Sequence, residues 1–141
     1  MHKILEAALQ TGPFADLQRE LKQKGNTVYL NELVGGALSF YVAAAVARCG
    51  GLHIVVAEDR DAAAYAMNDL YGLLDEKRVL FFPSAYKRSA AYGKEEAQSV
   101  VMRTSTLAAI KNLAEDGYLV VCTYPEAVWK IRNLTQTKCL H

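Results

Sequence analysis

Residues Glu32 to Phe40 read ELVGGALSF, lying between a short apolar run, NTVYLN (Asn26–Asn31), and a helix-like stretch, YVAAAVARC. A phosphate-cradling loop would occupy this place as G-x-x-x-x-G-K-[ST]. Laid on that template, the first glycine is Glu32, the second is Ala37 and the lysine is Leu38; only the hydroxyl survives, as Ser39. Such loops work because glycines let several backbone N–H groups converge on an anion while a lysine reaches the terminal phosphates. Gly35-Gly36 still permits an open turn, and the helix behind it presents its positive end. Leu38 supplies no charge, however, and Glu32 brings the wrong one. At about 4 Å and an effective dielectric near 20 that repulsion is on the order of 4 kcal/mol, about half of a micromolar affinity of roughly 8 kcal/mol. Two readings follow: a strand-to-helix turn with its phosphate chemistry gone, or a residual anion site at Gly35, Gly36 and Ser39.

Outward from this turn, the chain alternates. A strand is expected at Asn26–Asn31, a helix over about Ser39–Arg48 stopped by Gly50-Gly51, and a strand buried on both faces in LHIVVA (Leu52–Ala57). A helix from Glu58-Asp59 to about Leu74 follows, with Ala63, Ala66, Met67, Leu70 and Leu74 on one side. Next come a strand in VLFF (Val79–Phe82), a helix from Glu95 to about Glu115 with Val100, Val101, Thr104, Leu107 and Ala108 as its stripe, and a strand in YLVVC (Tyr118–Cys122). Thr123 with Glu126 has the form of a capping box, with Pro125 in the first turn of another helix. Ahead of all this, residues 2–10 and 14–24 predict two short helices broken at Thr11-Gly12-Pro13. The fold class expected is α/β, a parallel β-sheet flanked by helices, whose ligands would meet the carboxyl ends of the strands. The organisation expected is an N-terminal helical segment (1–25), the α/β domain (26–132) and a tail (133–141).

Composition bounds the function. The chain has 141 residues, 52% hydrophobic and 22% charged, with a net charge of +1. That is the balance of a globular domain with no global field to draw in nucleic acid. No window approaches the roughly 18 uncharged apolar residues of a membrane span, so a membrane role is not expected. Cys49, Cys122 and Cys139 are far apart, and His2, His53 and His141 do not cluster with them; no metal is expected, and a reducing cytoplasm is the simplest setting. Asp59-Arg60-Asp61 and Asp75–Arg78 read as charged helix ends rather than as a magnesium site. No catalytic residue is expected. In the 14-residue irregular segment PSAYKRSAAYGKEE, the residues Tyr86, Lys87, Arg88, Tyr92 and Lys94 interleave aromatic and basic groups, a candidate nucleic-acid or partner contact, although Glu95-Glu96 weaken the patch.

The runs LVGGALSFYVAAAVA, LHIVVAEDRDAAAYAMNDLYGLL, VLFFPSAYKRSAAYG, RTSTLAAI and LVVCTYPEAV resemble, in order and spacing, the N-terminal module of the bacterial transcription-repair coupling factor. The likeness covers about residues 27–130, and VLFFPSAYKRSAAYG with Arg103 in the helix after it is its most telling part. That module resembles the first domain of the UvrB excision-repair protein, a P-loop, helicase-like fold with a phosphate loop at the position of Glu32–Ser39. The resemblance implies a degenerate loop: Glu32, Gly35, Gly36, Ala37, Leu38 and Ser39 keep the turn and lose the chemistry. It implies no cofactor for this segment, with ATP and magnesium serving a motor elsewhere in a parent DNA translocase. Implied partners are the UvrA subunit and other domains of the same protein, with RNA polymerase and DNA reached through the parent. On this reading the sequence is a fragment of a larger protein. The rival readings are a nucleotide- or phosphate-binding α/β domain using the Gly35-Gly36 turn and a small α/β interaction protein unrelated to repair.

Overall fold

The computed structural model describes residues 3–84 and 93–129. Three parallel strands form one sheet: β1 (Gly51–Val56), β2 (Val79–Phe81) and β3 (Tyr118–Thr123), in the order β1-β3-β2. Among the described residues five helices accompany it: α1 (Lys3–Ala8), α2 (Gly12–Leu21), α3 (Ala37–Cys49), α4 (Arg60–Tyr71) and α5 (Gly93–Lys111). Residues 125–129 begin a further helical stretch. The α/β class and the parallel sheet are as the alternation predicts. No described helix is long and apolar enough to cross a membrane.

Register assigns the two faces of the sheet. Val55, Cys122 and Phe81 are level with one another, as are Ile54, Val121 and Leu80. Because side chains alternate along a strand, His53, Val55, Val79, Phe81, Val120 and Cys122 share one face. Leu52, Ile54, Val56, Leu80, Leu119, Val121 and Thr123 share the other. Helix α4 lies on the first face, near enough for Cys122 to act on Tyr71. The α5 face holds Phe82, whose ring lies under the Arg103 guanidinium. Helices α1 and α2 pack on α3 and share this core, with Phe14 against Phe40 and stacked on Tyr41 at 4.7 Å. Arg48 on α3 donates to the Leu9 carbonyl at 3.2 Å just past the end of α1.

Four expectations are corrected. Residues 26–31 are not a strand: they carry no ladder, and Tyr29 is 82% exposed. A parallel strand is made by a distant partner rather than by its own propensity, and this segment has none among the described residues. β1 is not buried on both faces. It is an edge strand whose burial alternates, leaving Leu52, Ile54 and Val56 at 41%, 59% and 54% exposure. α5 packs chiefly on β2 and β3 and does not cover them.

The third correction concerns the face of α5. The expected stripe of Val100, Val101, Thr104, Leu107 and Ala108 points outward, and Ser99, Arg103, Thr106 and Ile110 turn inward instead. Both sets have helical spacing, so periodicity alone does not choose between them; the inward face is the one from which Arg103 reaches the Pro83 carbonyl and the Phe82 ring. Finally, Thr123 does not cap the helix at 125–129. It ends β3, buried, while the Tyr124 carbonyl accepts from Ala127 and Val128 in the opening turn. The break near residue 11 is tighter than expected too, since Gly12 and Pro13 already form the first turn of α2, where a missing proline N–H costs nothing.

Candidate functional site

The turn before α3 has the backbone of an open loop. Glu32 and Gly35 are left-handed, at φ 59° and 60°, and Gly36 precedes the helix at φ −71°, ψ 2°. Gly35 owes its identity to that angle, because a Cβ there would meet no atom within 4 Å and only the backbone conformation disfavours one. The Ala37 N–H donates to the Val34 carbonyl at 3.3 Å and the Phe40 N–H to the Gly36 carbonyl at 3.1 Å. Helix α3 has no side-chain cap.

The side chains do not converge on this turn. Ser39, the surviving hydroxyl of the phosphate-loop pattern, is buried and donates to the Asp69 carboxylate on α4 at 3.1 Å. It ties two helices together. Leu38 points into solvent. Glu32 is exposed, as are Gly35 and Gly36, while Ala37 is half-buried, and none of them lies at the end of a strand. The loop of the template sits between a strand and a helix; here only the helix is formed.

Acidic groups elsewhere are occupied by local structure. Asp59 caps α4 by accepting from the Ala62 N–H at 2.8 Å, as an aspartate at that position should. Asp75 accepts from the Lys77 N–H at 3.0 Å and opens the 3-10 turn Glu76–Arg78 that leads into β2. Among the described residues no three His, Cys, Asp or Glu side chains gather as a metal site would require. Burial pushes the Cys122 thiol up to about 11, so a nucleophilic thiolate is scarce at neutral pH. Cys49 is half-buried.

The most organised polar region is the exit of β2. Where the ladder ends, side chains of α5 and of the end of β3 take over. The Thr123 hydroxyl donates to the Phe82 carbonyl at 2.9 Å, and Arg103 donates to the Pro83 carbonyl at 2.7 Å with its guanidinium 4.1 Å from the Phe82 ring centre. The Ser84 N–H donates to the Tyr124 phenol oxygen at 2.9 Å. Thr106 spends its proton on the Met102 carbonyl at 2.8 Å and has Phe81 O as a weaker contact at 3.4 Å. Burial lowers the Arg103 pKa, which Tyr124 partly offsets. The arrangement fixes the direction in which the chain leaves the sheet after Pro83. That is a positioning device; it places no nucleophile beside a base.

Residue by residue, then, the structure places Glu32, Gly35 and Gly36 before α3 and Ala37, Leu38 and Ser39 in its first turn, and it sends the Ser39 hydroxyl to Asp69. Tyr86, Lys87, Arg88 and Tyr92 lie outside the described residues, and Lys94 is placed only as a member of the first turn of α5. Thr106, Thr123 and Tyr124 were not singled out from sequence as partners of the Pro83 segment. The available signal was Pro83 itself: consecutive carbonyls at the end of an edge strand need donors, and proline has no N–H to continue a ladder. Compared with protein-family models, with curated proteins and with solved structures, the chain gives no match in any of the three.

Proposed function

We propose that this chain is a non-catalytic scaffold and interaction module of the UvrB-like kind, part of a transcription-repair coupling factor that displaces stalled RNA polymerase and recruits UvrA. One observation carries the absence of nucleotide chemistry: Ser39 is committed to Asp69 while Leu38 faces solvent beside it. A phosphate at the turn would find neither hydroxyl nor cation. The repair assignment rests on the order of sequence runs given above, and the α/β class is compatible with it. On this reading the segment carries no cofactor of its own, is not an enzyme, works in the cytoplasm, and meets UvrA and neighbouring domains of the same polypeptide.

The test has two arms. Calorimetric titration with ATP and magnesium is expected to give no saturable heat in the micromolar range. Immobilised chain is expected to retain the purified UvrA subunit, or the purified remainder of a coupling factor, above a scrambled-surface control. Micromolar ATP binding would remove the non-nucleotide reading, and failure to retain either protein would remove the repair assignment.

A second reading keeps an anion at the turn, and the left-handed Gly35 followed by right-handed Gly36 favours it, because such a pair curves successive N–H groups toward one point. Titration with inorganic phosphate separates this from the first reading. Gly35→Val, which a positive φ resists, would abolish such binding, whereas Gly36→Ala has open space and an ordinary φ and would leave it.

A further inference from the structure

We draw no further inference here: the strongest candidate, the apolar face that Leu52, Ile54 and Val56 leave open on the free edge strand β1, carries nothing because no described residue shows what covers it.

Discussion

The two edges of the sheet are finished in opposite ways. At β2, only three residues pair with β3, yet every side chain from Val79 to Pro83 except Leu80 is buried. Beyond the ladder, Thr123, Arg103 and Tyr124 satisfy the backbone. At β1, six residues pair with β3, twice the length, yet alternate side chains stand in solvent. Ladder length therefore does not measure how well a strand is integrated. What differs is coverage: β2 has helices on both faces, α4 on one and α5 on the other, while on the α5 side β1 stays open. Burial of apolar area, at about 25 cal/mol per Å², rather than pairing, sets the stability of each edge.

This contrast can be broken at several points by urea unfolding of single variants. The largest effect is expected at Phe82→Ala, which empties a core position and removes the ring under Arg103. A loss of about 3–5 kcal/mol is expected, with a drop in the urea midpoint at unchanged slope. A loss below about 1 kcal/mol would mean that the β2 exit is not packed as described. Arg103→Leu comes next. It keeps the apolar stem but leaves the Pro83 carbonyl without its donor, for an expected cost of about 1.5–3 kcal/mol.

Alkaline pH tests the centre of the sheet. Cys122 keeps its proton in the fold up to about 11, whereas in the unfolded chain it ionises near 9.0. Its contribution is therefore complete below pH 9 and is lost as pH rises through 11. The loss is on the order of 2 kcal/mol by pH 11, measurable as extra alkaline destabilisation relative to Cys122→Ala. An identical pH profile for the two proteins would contradict a buried thiol at that position.

Tyr124→Phe removes one acceptor from the Ser84 N–H while keeping the ring beside Phe81, and about 0.5–1.5 kcal/mol should be lost. The smallest effect is expected at Ile54→Ala on the open face of β1, within about 0.5 kcal/mol of the parent. A multi-kilocalorie loss at Ile54 would erase the difference between the two edges and show that the face is covered in solution.

Much of the architecture was legible from local pattern. Helices α3, α4 and α5 and all three strands lie within a few residues of where apolar runs, Gly50-Gly51 and Asp59 put them, because caps, stops and β-branched runs act over a few residues of chain. Asp59 was also read correctly, as a helix start. The candidate site was legible only in part. The missing lysine and the intruding Glu32 could be seen in ELVGGALSF, but the direction of Ser39 could not, since its partner Asp69 is thirty residues away on α4.

What local pattern could decide here was the α/β class, the element types and the missing charge at position 38, all of which depend on neighbours in sequence. Tertiary structure alone decided that Asn26–Asn31 finds no strand to pair with, that α5 turns Arg103 and Thr106 inward instead of Val100 and Leu107, and that LHIVVA becomes a half-open edge. Each of these is a choice of partner across space. A hydrophobic period says which residues share a face, and only the packed chain supplies what that face meets.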